Sequence, residues 1–170
     1  MVEVKVKGTG KVYKFDLAKA TKLVKSYPDQ GESARQANFE KGFVFERLLS
    51  RAYGDGGPVR TDELEVDGIL LSPDGFWVYE GTDCVCEYKC TVRSEKHPIE
   101  DNIRWRFQIS AYCRAMYCNY ALLHVLYLAG NWNPPSVPLY KRYWLEFSDS
   151  ELTETWDMIV RHAKRKGMLK

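Results

Sequence analysis

The chain has 170 residues, of which 45% are hydrophobic and 14% aromatic, enough material for one domain with its own core. A formal net charge of +2 is too small to announce a polyanionic partner by itself. No apolar run is long enough to cross a bilayer and no charged-then-apolar leader opens the sequence, so we expect a cytoplasmic protein without a membrane partner. The charge is unevenly spread. Residues 1–25 hold seven lysines against Glu3 and Asp16, and the last ten residues hold Arg161, Lys164, Arg165, Lys166 and Lys170 with no acid. Basic ends of this kind suit contact with a polyanion, or form a solvated tail.

In chain order, residues 2–15 alternate like two short strands around Gly8-Thr9-Gly10, which predicts a hairpin. A short helix is expected at 17–25, and a longer one at about 33–53 with Phe39, Phe43, Glu46 and Leu49 on one face. Asp55-Gly56-Gly57-Pro58 ends it. Two strands are expected at about 62–71 and 76–91, joined at Ser72-Pro73-Asp74-Gly75. A helix follows at about 99–119 behind Pro98, then a buried strand at 121–128, a proline-rich loop at 131–138 and a strand at 140–147. Ser148 and Glu151 have capping-box spacing at the head of a last helix, with Leu152, Trp156, Ile159 and Ala163 as its apolar stripe. This order predicts an α/β sandwich with a mixed sheet between helices.

The segment running from Val66-Asp67-Gly68 to Glu87-Tyr88-Lys89 carries the chemistry. Alternation puts Glu87 and Lys89 on one face of a strand otherwise rich in core residues. Asp67 sits in an equally apolar stretch, and Glu46 interrupts the apolar face of the first long helix. Buried carboxylates are costly unless paired or bound to a cation. A buried Glu87–Lys89 or Asp67–Lys89 ion pair would account for two of these groups but not for three acids. Three carboxylates supply the hard oxygen ligands that Mg²⁺ takes. The five cysteines form no CxxC pair, which predicts reduced thiols, and His97, His124 and His162 are scattered, with His124 expected as a satisfied core histidine. No P-loop or GxGxxG occurs.

These residues resemble the PD-(D/E)XK nuclease superfamily, whose core runs helix, three strands, helix, strand. The family's first acid matches Asp67, with Val66 where the motif has proline, and its acid-lysine pair matches Glu87 and Lys89. Gly42 to Glu46 is similar to the glycine-to-acid spacing of the RecB-like branch, and Gln108-Ile109-Ser110-Ala111-Tyr112 matches that branch's QxxxY motif. The resemblance covers about residues 35–130. It implies a restriction-endonuclease-like sandwich holding one or two Mg²⁺ or Mn²⁺ ions on Glu46, Asp67, Glu87 and the main-chain carbonyl of Tyr88. It further implies Lys89 as the group that positions the attacking water, and Gln108 and Tyr112 as catalytic and DNA-contacting support. Our own extension of that helical ridge adds Arg104 as a phosphate contact. The four-cysteine iron–sulfur cluster of some branch members is not expected, because no cysteine precedes Cys84 or follows Cys118.

The expectation is therefore a single nuclease domain over 1–170, with an N-terminal hairpin and helix in 1–30, a catalytic core in 35–130 and a closing strand and helix in 140–170. Its activity would be metal-dependent DNA hydrolysis, exonucleolytic by likeness to QxxxY relatives, in recombination, repair or degradation. The closing segment is similar to that of small phage-encoded nucleases, which would place the protein in a host cytoplasm. A homo-oligomer or a recombination partner protein would supply processivity. The alternatives are an endonuclease of the same fold and a catalytically silent nucleic-acid-binding or interaction protein.

Overall fold

The computed structural model describes residues 2–5, 12–15, 34–97, 99, 102–130 and 137–169, with backbone alone for 2–5, 12–15 and 34–39. The expected helix at 17–25, the Gly8 to Gly10 turn, Pro98 and residues 131–136 of the proline-rich loop lie outside the described residues. Strands β1 (Val2–Lys5) and β2 (Val12–Phe15) pair antiparallel, with Val2 opposite Phe15. Helix α1 (Ala34–Tyr53) ends in a 3-10 turn at Gly54–Gly56, where Gly54 takes a φ of +61°. Its buried stripe is offset from the expected one. Phe45, Leu49 and Tyr53 are fully buried at i, i+4 spacing, whereas Phe43 is 47% exposed.

The two long strands expected at 62–71 and 76–91 are instead two hairpins. Strand β3 (Leu64–Val66) turns through Asp67-Gly68 into β4 (Ile69–Leu71), and β5 (Gly75–Tyr79) turns through Glu80-Gly81 into β6 (Thr82–Thr91). In both turns both residues have positive φ, 52° and 76° in the first, 52° and 81° in the second. That is the backbone hand that matches strand twist in two-residue loops, and glycine supplies it without strain.

Helix α2 (Ile103–Ala115), strand β7 (Tyr120–Tyr127), strand β8 (Leu139–Glu146) and helix α3 (Asp149–Arg165) complete the chain. The main sheet has the order β5-β6-β7-β8. It is mixed. β5 and β6 are antiparallel. The Leu128 amide donates to the Thr91 carbonyl, which joins the far ends of β6 and β7 and so sets them parallel, with α2 as the crossover. The Phe147 amide donates to the Asn119 carbonyl, joining the end of β8 to the start of β7 and making that pair antiparallel. β6 is buried from Cys84 to Tyr88 and β7 from Ala121 to Tyr127, as expected for central strands covered on both faces. At the head of α3, Ser148 Oγ accepts from the Glu151 amide while Glu151 accepts from the Ser148 amide, the expected capping box.

The chain divides into two compact units, residues 1–58, 88–98 and 123–143, and residues 59–87, 99–122 and 144–170. The first is built on aromatic packing. The Phe45 ring meets Tyr88 and Tyr140 edge-on, and Tyr88 stacks on His124 at 5.0 Å between ring centroids. His124 is fully buried, and its Nδ1 shares a hydrogen bond of 2.7 Å with the Tyr140 hydroxyl. Its Nε2 meets no hydrogen-bond partner among the described residues, so this histidine is satisfied on one side only. The second unit packs α2 and α3 together, with Ile109, Cys113, Leu152 and Trp156 buried. Among the described residues no helix is long and apolar enough to cross a membrane.

Candidate active site

The β5–β6 hairpin brings two carboxylates to one place. Its register pairs Tyr79 with Thr82 and runs to Gly75 opposite Cys86. Asp74 is the bend residue just before Gly75, and Glu87 follows Gly75's partner Cys86, so the two acids flank the end of the ladder. Glu87 is 1% exposed and Asp74 half-buried. Two such groups at one end of a ladder repel unless a proton, a hydrogen-bond donor or a cation intervenes.

Neighbouring groups register both charges. Tyr112, on α2, has its hydroxyl pushed up to about 12, first by burial, then by the charge of Glu87, with Asp74 adding to it. A hydrogen bond with Gln108 works in the opposite direction. Gln108 Nε2 donates to the Tyr112 oxygen at 2.8 Å, one helical turn apart. Tyr112 is therefore a neutral phenol at physiological pH. It accepts from Gln108 and keeps its own proton to donate. The Cys86 thiol is also held well above its ordinary value, by burial, by Cys84 and then by Asp74 and Glu87. Asp74 was not among the residues singled out by sequence.

Lys89 follows Glu87 by two positions on β6, so strand alternation gives them a common face, and Lys89 is partly exposed. Arg104, one turn before Gln108, is exposed on α2. Tyr88, whose carbonyl the family resemblance offers as a ligand, has its ring buried against His124. Glu46 is buried at 9% exposure beside Phe45 on α1.

Asp67 is placed differently from the expectation. It occupies the turn between β3 and β4, not an apolar strand, and it is exposed with φ +52°. The Trp156 indole Nε1 donates to Asp67 Oδ2 at 2.7 Å, pinning this turn to α3. The physical reason is the Asp-Gly turn. It reverses the chain at Asp67, so the residue leaves the strand and meets the helix that packs there. Among the described residues no group of three or more His, Cys, Asp and Glu side chains is gathered to hold a metal ion.

Asp74 and Glu87, at the same end of the β5–β6 ladder, offer two carboxylates. Two hard carboxylates suit Mg²⁺ or Mn²⁺, because Mg²⁺ is held by one or two protein carboxylates and fills its shell with water and substrate phosphate. The thiols do not compete for this role. All five cysteines are free, burial holds Cys86 and Cys90 protonated, and Cys90 is pushed up to about 12. Cys113 and Cys118 share a hydrogen bond, which raises the first and lowers the second, and both thiols reach the Tyr120 carbonyl.

No family model matches the chain, and no curated protein matches it. A solved structure described as "Crystal structure of SSO0001" superposes with a TM-score of 0.46 at 13% identity, over 85% of this chain. This chain spans 66% of that chain's length. A likeness of that depth carries no assignment of family or activity.

Proposed function

We propose that the protein is a metal-dependent nuclease, with Asp74 and Glu87 as the carboxylates that hold a Mg²⁺ or Mn²⁺ ion. The reading rests on one observation, that buried Glu87 and half-buried Asp74 lie at the same end of the β5–β6 ladder, with both charges felt at the Tyr112 hydroxyl. In this reading the mixed sheet is the centre of a restriction-endonuclease-like sandwich. Asp74 takes the part that the family pattern had suggested for Asp67.

A bound divalent ion supplies a lowered pKa for the attacking water and neutralises charge on the scissile phosphate. Lys89 holds that water in line and offsets the charge that grows on the phosphate oxygens. Tyr112 keeps its proton and donates it as a hydrogen bond to a phosphate oxygen, while Gln108 fixes the direction of the phenol. Arg104 lies exposed one turn away for the neighbouring phosphate. The QxxxY arrangement resembles that of end-processing enzymes, so DNA is the substrate and exonucleolytic hydrolysis the expected mode.

The test is incubation of linear, circular and single-stranded DNA with purified protein in Mg²⁺ or Mn²⁺, with and without chelator. The expected result is loss of linear DNA while covalently closed circles persist, with Lys89→Ala slower by about 100-fold or more. Full activity in Lys89→Ala, or no cleavage of any substrate, would overturn the reading. Cutting of circles would make the enzyme an endonuclease.

A further inference from the structure

Beyond the β5–β6 hairpin, the unit containing α2 and α3 has a second feature that the nuclease reading does not use. An open cavity of about 960 Å³ lies where the β3–β4 turn meets α3. That is the upper end of the range for ligand pockets, about 300–1,000 Å³, so it takes several side chains at once. Its floor is aliphatic and thioether surface from Ile69, Leu70, Met158, Ile159 and Met168, with Phe107 at one side. Leu70, Met158 and Met168 are 62%, 44% and 75% exposed, unusual for large apolar groups gathered on one patch.

The local fold builds this surface. At the end of α3, the Met168 amide donates to the Ala163 carbonyl and the Gly167 amide to Lys164, with Gly167 at φ +68°. This glycine cap folds Met168 and Leu169 back along the helix. Gly68 is the seat for Leu169, since a Cβ there would lie 2.9 Å from its Cδ2. The Trp156–Asp67 hydrogen bond fastens the same turn to the helix.

The lining carries three basic groups, Arg161, His162 and Arg165, and no carboxylate. Arg165 Nη2 donates to His162 Nδ1 at 3.1 Å, which holds the guanidinium at this edge. We propose that this groove docks a peptide segment of a partner protein that combines acidic and apolar residues. Apolar side chains would enter the Met-lined floor and carboxylates would meet the arginines. Charge decides against a second copy of this chain, because a two-fold contact would set the same cations against one another. The Met-lined apolar floor favours a peptide over nucleic acid, whose phosphates would meet the arginines but whose bases would find only Phe107 to stack on.

The test uses fluorescein-labelled peptides and polarisation. One peptide repeats Asp-Leu-Asp-Phe, a control replaces Asp with Lys, and a labelled single-stranded oligodeoxynucleotide of similar length serves as the rival. The expected result is saturable binding of the acidic peptide alone. Binding should weaken at least about 10-fold in Leu70→Lys, and by a similar factor in the pair Arg161→Glu and Arg165→Glu, each with an unchanged melting point. Leu70 is exposed, so its variant folds even if the arginine pair does not. No peptide binding, equal binding by the variants, groove-dependent binding of the oligonucleotide in place of the peptide, or a dimer dissolved by Leu70→Lys would each overturn the proposal.

Discussion

Asp74→Asn and Glu87→Gln are each expected to lower divalent-dependent DNA cleavage by about 10³-fold, while Asp67→Asn stays within a few-fold of the parent. Both Asn and Gln keep the size of the side chain and remove only its charge. The fold should survive, because Asp74 precedes β5 and the hairpin register is held by the backbone. The contrast with Asp67 is the informative part. Asp67 is exposed and bound to Trp156, so its amide variant loses part of one charge-assisted hydrogen bond at the surface and nothing at the β5–β6 hairpin. Cleavage rates under single-turnover conditions, with melting points alongside, separate loss of chemistry from loss of fold. An Asp67→Asn enzyme that is dead while Asp74→Asn is active would reverse the assignment.

The second large effect is on stability against pH, and it comes from His124. Burial, with Arg142 adding to it, lowers this imidazole from 6.5 to about 3. The ring is neutral in the folded chain and becomes charged in the unfolded chain below pH 6.5. A depressed folded value means that the stabilisation is complete above pH 6.5 and is lost as pH falls towards 3. Over that window unfolding takes up one more proton, so stability falls by about 1.4 kcal/mol per pH unit from this group alone. By pH 5 the loss is about 2 kcal/mol. Carboxylates add their own acid slope, so the comparison is with His124→Leu, which cannot titrate. Urea unfolding at pH 7, 6 and 5 should show a smaller fall in the variant, even though losing the Tyr140 hydrogen bond lowers its stability at pH 7. Equal falls in the two proteins would show that His124 is not held neutral.

Periodicity made most of the architecture readable. The helix at 34–53, the buried strand at 120–127 and the capped helix from Ser148 each follow from spacing and cap chemistry. Alternation alone hides the hairpins of segment 62–91, because it runs through their turns as strands of ten and sixteen residues, when strands commonly run about five or six. Asp67-Gly68 was the available signal, since this dipeptide between apolar runs marks a two-residue hairpin. With Glu80-Gly81 as the reversal, counting back along the strands pairs Gly75 with Cys86 and leaves Asp74 and Glu87 just beyond that pair.

Other features were not readable from pattern. The stripe of α1 is shifted towards Phe45 because that ring packs on Tyr88 and Tyr140, contacts made across long stretches of chain. The half-satisfied state of His124 likewise depends on Tyr140 meeting one ring nitrogen while the other meets no hydrogen-bond partner among the described residues. The Gln108–Tyr112 pair was legible, because residues four apart on a helix share a face, and the two side chains do bond.

We propose that a divalent cation is held by Asp74 and Glu87. Isothermal titration of Mn²⁺ into the parent protein, Asp74→Asn, Glu87→Gln and Asp67→Asn measures this without reference to any substrate. Saturable binding by the parent and Asp67→Asn, weakened at least about 10-fold in the other two, is the predicted result. Mn²⁺ affinity that is the same in all four proteins, or lost only in Asp67→Asn, would contradict it.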